Sequence, residues 1–289
     1  MFQRLSAWLR LNWARNALAD GFRVQMQSGS WLAAELELAD LQEALKRGGP
    51  PLAAYERLAR EYDSYGDRRK GLYPAYLRAL AAYHGQPCER VLDLACGTGA
   101  IVRELAKHCT RVVGVDSSPA MLAVARAACG ELSNVNFVQG DLRQLELNET
   151  FDAALCANDS LNYLQQPAEL ASVFAAAGRC LRPGGLLVCD ALPEPVFLKL
   201  HKRFFHHVDD DARFAMAFHY DKPTRRERTR VIFPEGIEHH ERIPLEPADI
   251  WSAAASSGFD LIDDFSSLER RNFFALRLVE RPVNRTEGS

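Results

Sequence analysis

The chain has 289 residues, 47% hydrophobic and 25% charged, with a formal net charge of −3 at pH 7. It can bury a substantial core as one full domain with appendages or as two small domains. The absence of a basic excess argues against a nucleic-acid binder, and no apolar run reaches the ~18 residues needed to span a bilayer.

The N-terminal residues 1–51 read as a helical extension. Within residues 1–23, Arg4, Arg10, Arg15 and Arg23 interleave with Phe2, Leu5, Trp8, Leu9, Leu11 and Trp13. An organellar transit peptide has a similar acid-poor pattern. The preferred reading is an amphipathic helix that packs on the body or on a second subunit of a homodimer. After Gly29 a second helix is expected from about Trp31 to Lys46, ended by Gly48, Gly49, Pro50 and Pro51. Residues 52–84, rich in alanine, leucine and tyrosine, predict further helices that open the main domain, 52–289.

From Arg90 the pattern changes to short apolar runs: RVLDLAC (90–96), RVVGVD (111–116), NVNFVQGD (134–141), FDAALCA (151–157) and GLLVCDAL (185–192). Helical stretches at about 100–108, 119–129 and 167–181 separate them. Runs apolar on successive residues are buried on both faces, and intervening helices imply parallel strands with right-handed crossovers. The expected fold is therefore α/β: a Rossmann-like, doubly wound, mostly parallel sheet of seven strands, with its ligand at the strands' carboxyl ends. All seven cysteines lie between Cys88 and Cys189 with no CxxC, which predicts reduced thiols in the cytoplasm and no metal site.

The first strand ends in Asp93-Leu94-Ala95-Cys96-Gly97-Thr98-Gly99 and runs straight into a helix. Two glycines one residue apart permit a tight turn and close approach to a ligand, and the helix start favours an anionic group. The third glycine of a dinucleotide site would fall at Val102, and no Gly-Lys-Ser/Thr follows for a P-loop. A ligand with a carboxylate in place of a pyrophosphate fits better. Asp116 ends the second strand, where a carboxylate can accept from a ribose diol; Ser118 can cap the following helix in its stead. Asp141, in Gly140-Asp141-Leu142, ends the third strand beside a backbone N–H, a pairing that can read an adenine edge.

These motifs in order, DLACGTG, VVGVDSSPAML, NFVQGDLRQL, FDAALCANDSLNYL and LRPGGLLVCD, resemble those of class I S-adenosylmethionine (SAM)-dependent methyltransferases. The resemblance implies that Asp93, Ala95, Gly97 and Gly99 surround the methionyl part of SAM. It places Asp116 on the ribose, Ser117 and Met121 beside sugar and adenine, Asp141 and Leu142 on the adenine edge, and Ala157 near the sulfonium. The stretch Tyr55 to Asp63 is similar to the covering helix of small-molecule members, the sugar-amine and glycine/sarcosine N-methyltransferase-like enzymes, so Tyr62 and Tyr73 would close over the cofactor. S-adenosylhomocysteine would be the product.

On the acceptor side, Asn158, Asp159, Asn162 and Tyr163 follow the fourth strand. The (Asn/Asp)-Pro-Pro-(Tyr/Phe) element of DNA and glutamine N-methyltransferases does not occur here. Asp159 is expected to orient or deprotonate an amine, or else it or Ser160 caps a helix. Strands at 212–220, 228–234 and 237–243, within an antiparallel insertion at 205–244, resemble the subgroup's substrate cover and bring Tyr220, His219, His239 and His240. Of the adjacent histidines only one can face the pocket, and His239 is taken as substrate-binding. Catalytic candidates are Asp159, His219 and Tyr163. Asp209-Asp210-Asp211 reads as a solvated turn. A helix at Glu246–Ser257 and strands near 259–265 and 272–280 complete the chain. The expected activity is methyl transfer to a nitrogen, or less readily an oxygen, of a small-molecule acceptor. The alternatives are a carboxyl or hydroxyl O-methyltransferase and a SAM-binding partner protein without turnover.

Overall fold

A computed structural model describes residues 8, 10–12, 50–63, 71–208, 213–267 and 271–279. Most of the expected N-terminal extension, with its homodimer surface, and the turn at Asp209–Asp211 lie outside those residues. No described helix is long and apolar enough to cross a membrane.

The strands in chain order are β1 (Pro51–Leu52), β2 (Arg90–Leu94), β3 (Arg111–Asp116), β4 (Val135–Gln139), β5 (Phe151–Cys156), β6 (Leu181–Ala191), β7 (Phe204–Val208), β8 (Arg213–Asp221), β9 (Arg226–Phe233), β10 (Gly236–Arg242), β11 (Phe259–Ser267) and β12 (Arg271–Leu278). The helices are α1 (Leu58–Glu61), α2 (Leu72–Tyr83), α3 (Ala100–Ala106), α4 (Pro119–Cys129), α5 (Glu169–Cys180), α6 (Glu194–Leu200) and α7 (Pro247–Ser256).

Seven strands form one sheet in the order β11-β12-β6-β5-β2-β3-β4. Its β2, β3, β4, β5 and β6 pair in parallel, while β12 runs antiparallel to β6 and to β11. This is the doubly wound, mostly parallel seven-stranded sheet that the sequence predicts. Alternation along each strand sends one set of side chains to each face. Leu92, Val113, Ala154 and Leu187 pack under α5 and α7, whereas Val91, Val112, Ala153 and Val188 pack under α2, α3 and α4. The chain leaves β2 towards β3 and later returns beside β2 as β5, so the order reverses between β2 and β5 and opens a crevice at their carboxyl ends.

The second sheet has five strands, ordered β1-β10-β9-β8-β7. The expected three-stranded segment gains β7 at one edge and β1 at the other. Pro51, read as a helix terminator, and Leu52, read as the opening of the next helical stretch, instead pair in parallel with Ile237 and Glu238 of β10. Proline suits that edge position, where no ladder N–H is required of it. One face of this sheet carries Met216, Phe218 and Tyr220 of β8, Glu227, Thr229 and Val231 of β9, and Glu238, His240 and Arg242 of β10 in register. Leu58 of α1 packs on Phe214, Met216, Val231 and Phe233 from this side.

Candidate active site

A partly open cleft lies at the β2/β5 reversal, at the carboxyl ends of the strands. Its walls include Tyr62, Asp63, Asp93, Ala95, Gly97, Thr98, Ala157, Asn158 and Ser160. The loop after β2 makes this possible because Ala95, Gly97 and Gly99 all have positive φ (59°, 54° and 75°). Gly99 is required by packing as well as by φ, since a Cβ there would stand 3.1 Å from both Ala125 Cβ and Phe137 Cζ.

Asp93 closes the inner end of the cleft. Its Oδ2 is buried with no hydrogen-bond partner among the described residues. Burial, with the nearby Asp116 adding to it, pushes its pKa up to about 8. Asn158 Oδ1 is a second buried acceptor without a partner among the described residues, and Asn158 lines the same cleft. Two such atoms in one cleft wall call for a ligand that donates hydrogen bonds and carries positive charge. The α-ammonium of SAM is such a group, so the residues present fit it.

Asp116 adjoins the cleft through the loop. It accepts from Gly97 N–H and Ser118 N–H, both at 2.8 Å, and Ser118 caps α4 by accepting from Met121 N–H. Each carboxylate oxygen keeps a further lone pair for a hydroxyl. Burial raises its pKa against the pull of those backbone donors. Asp141 accepts from Arg143 N–H and pairs with the Arg143 guanidinium, which holds its carboxyl below the usual range. Leu142 follows it in a short 3-10 turn. Ser117 is exposed and Met121 buried.

Tyr62 lines the cleft, but Tyr73 does not close over it. Tyr73 is fully buried in α2, and its hydroxyl donates to Asp190 Oδ2 at 2.5 Å. Asp190, at the end of β6, also accepts from the backbone N–H groups of Asn158 and Asp159 (2.8 and 2.7 Å) and from Arg271 (2.5 Å). Both residues of that turn have positive φ, 61° and 53°, a conformation costly outside glycine. The two N–H bonds to one buried carboxylate hold it in place.

The acceptor-side expectations change more. Asp159 sits between Arg271 (2.6 Å) and Arg242 (2.9 Å). Burial alone would raise its pKa, but the two guanidinium groups lower it. A carboxylate so paired is a poor base, which argues against Asp159 as the group that deprotonates an amine. Neither it nor Ser160 caps the turn that follows through its side chain: the cap side chain makes no such bond, and Ser160 Oγ donates to Ala157 O. Asn162 is fully buried. Its amide donates to Leu192 O and Ile243 O and accepts from Leu192 N–H, so it ties the segments after β6 and β10 together, buried away from the cleft lining. Tyr220 stacks on Phe197 and donates to Glu194, away from the cleft. His219 is exposed, its ring against His201.

The strand alternation falls the other way from the expectation for β10: His239 is exposed and His240 buried. The reason lies two residues upstream. Glu238, fully buried, accepts from the backbone N–H groups of Tyr55, Arg57 and Leu58 (3.0, 2.6 and 2.8 Å) and bonds His240 Nε2 at 2.9 Å, and residues i and i+2 share a face. Tyr163 is not part of the cleft lining; its ring lies 5.9 Å from Tyr55 and 6.1 Å from His240, and burial pushes its hydroxyl up to about 12. Asp190, Arg242 and Arg271 were not foreseen, and of the two histidines on β10 it was His239 rather than His240 that was expected to face the pocket. The available signal was the row of charged residues at alternate positions of β10, which only a partnered polar face can bury.

Residues 91–185, which hold the cleft floor and the acidic strand ends, match the family described as a methyltransferase domain. A protein of Geobacillus sp. (strain WCH70) named as a methyltransferase is 38% identical over 114 residues, 39% of this chain and 46% of that protein. The dTDP-3-amino-3,6-dideoxy-alpha-D-glucopyranose N,N-dimethyltransferase of Streptomyces fradiae is 34% identical over 118 residues, 40% of this chain and 44% of that protein. The matches thus span less than half of these relatives. Among solved structures, the chain superposes on a SAM-dependent methyltransferase from Clostridium acetobutylicum ATCC 824. The TM-score is 0.67 at 20% identity, covering 78% of this chain and 99% of that one. The sugar N-methyltransferase KedS8 from Streptoalloteichus sp ATCC 53650 gives 0.58 at 27% identity, covering 72% and 87%.

Proposed function

We propose that this protein uses SAM to methylate a nitrogen of a small-molecule metabolite. The observation that carries the reading is the unpartnered, buried Asp93 carboxyl in the cleft at the sheet's reversal point. When bound there, SAM would supply a methyl group already activated on a sulfonium, and the protein's task is alignment and exclusion of water.

Asp93 and Asn158 hold the ammonium, with Ala95, Gly97 and Gly99 shaping the loop around it. Asp116 takes the ribose hydroxyls, flanked by Ser117 and Met121. Asp141 and Leu142 border the adenine. Ala157 would lie near the sulfonium, and Tyr62 would close the mouth, next to Asp63, which accepts from Thr98 Oγ1 at 2.8 Å. The five-stranded sheet covers the acceptor side and is fixed to the cleft rim by the Arg242–Asp159 pair. A chamber roofed in this way suits a small molecule rather than a polymer. Nitrogen as the target draws support from the names of the Streptomyces fradiae relative and KedS8.

Calorimetric titration with SAM, followed by mass detection of S-adenosylhomocysteine across a panel of small primary amines and amino sugars, tests this reading. Saturable binding with release dependent on an amine is expected. No binding of SAM, or binding without release on any amine, would overturn it.

A further inference from the structure

His240 is a buried histidine with one nitrogen committed and one open. It is 4% exposed. Its Nε2 lies 2.9 Å from Glu238 Oε2, while its Nδ1 is buried with no hydrogen-bond partner among the described residues. Glu238 is fixed by three backbone N–H donors, which together with His240 keep its carboxyl below the usual range although burial opposes them. An ionised carboxylate only accepts. The neutral ring therefore carries its proton on Nε2 and presents a lone pair at Nδ1.

The His240 ring lies among tyrosines that adjoin the cleft wall. Tyr55 stands 4.7 Å from the His240 ring, edge to face, and 6.2 Å from Tyr62 of the cleft wall, with Tyr163 on the other side. Tyr55 is held at φ 64° by its N–H bond to Glu238. The groups facing His240 are Glu238 and Arg242 on its own strand, Thr229 and Glu227 on β9, Phe218 on β8, and Tyr55 and Tyr163. Arg242 is itself taken up by Glu227 and Asp159.

We infer that His240 is the proton acceptor for the methylated amine, oriented by Glu238 and reached between Tyr55 and Tyr163. The inference rests on the amine methylation proposed above. The acceptor enters as an ammonium, its N–H bond breaks, the proton passes to Nδ1 and the electron pair stays on nitrogen. That pair bonds the methyl carbon while the carbon–sulfur pair withdraws onto sulfur, leaving a neutral thioether. The proton on His240 then returns to solvent as the product leaves. Asp159, doubly paired to arginine, is not needed for this step.

His240→Gln tests it, because the glutamine amide can still donate to Glu238 but offers no base at Nδ1. SAM affinity and the melting temperature should stay near wild type, while kcat falls about 10²-fold or more near neutral pH. The deficit should shrink as pH rises and solvent deprotonates the amine. In ¹⁵N-histidine spectra, the resonance missing from the variant should report an Nε2-protonated neutral ring in the wild type. An equal deficit at every pH, unchanged kcat, or an Nδ1-protonated ring overturns the proposal. If His240→Gln does not fold, Glu238→Gln decides. Loss of the carboxylate that orients the ring should lower kcat near neutral pH with SAM affinity near wild type, the deficit shrinking as pH rises, and an undiminished kcat overturns the proposal. Failure of the wild type to turn over any amine sinks the functional reading itself, whereas turnover that His240→Gln leaves intact sinks only this inference.

Discussion

Replacing Asp93 with asparagine should make the protein more stable and a weaker SAM binder, the two effects arising from the same buried carboxyl. In the unfolded chain Asp93 loses its proton near its ordinary value of 3.8, while in the folded protein it keeps the proton to about 8. Between those values the native state binds more protons than the unfolded state, so stability falls as pH rises through the window. At ~1.4 kcal/mol per pH unit, the penalty has an upper bound of roughly 4 kcal/mol at pH 7, and it levels off above pH 8. Asparagine keeps the shape and has no proton to lose. Denaturant unfolding of both proteins from pH 4 to pH 9 should show the variant's advantage near zero at the acidic end and growing to the alkaline side. SAM titration should show the converse, a loss of ~1.5–3 kcal/mol for a missing charge-assisted hydrogen bond, with wild-type affinity rising as pH approaches 8. Parallel stability curves for the two proteins, or unchanged SAM affinity, would refute the reasoning.

Asp116→Ala should weaken SAM binding by ~1–3 kcal/mol through lost hydroxyl bonds, read by calorimetry, with a circular-dichroism melt to show that the loop still folds without its two N–H contacts; undiminished affinity would misplace the ribose. Arg271→Met leaves Asp190 buried without its guanidinium partner and strips one of the two from Asp159, which should cost ~3–5 kcal/mol and lower the melting temperature by roughly 10 °C. A variant as stable as wild type would mean that the ion-pair row carries no structural burden. Asn162→Ala abandons three buried polar groups of Leu192 and Ile243 and should destabilise by about 3 kcal/mol while SAM affinity in the folded protein stays unchanged; a selective rise in acceptor KM without loss of stability would return Asn162 to the substrate site.

The cofactor half of the site was legible because each signal there is local. A tight glycine turn, an acid at the end of an apolar run and a capping serine are set by neighbouring residues, and Asp93, Gly97, Asp116 and Ser118 stand in a sheet whose order follows from the rhythm of strand and helix. The acceptor half was less legible because its partners are distant in sequence. Asp159 meets Arg242 and Arg271 across separations of 83 and 112 residues, and nothing local distinguishes a base from a carboxylate already neutralised by two cations. Strand alternation required His239 and His240 to face opposite ways without choosing between them. That choice was made by Glu238, whose buried carboxylate had to find the N–H groups of residues 55 to 58, some 180 positions upstream. The sequence by itself thus determined the fold and the tight glycine loop after β2, through periodicity and turn chemistry. Only the tertiary structure decided which polar groups are spent on one another and which, like Asp93 and His240, keep an unpartnered atom, because burial and pairing depend on the whole chain packed together.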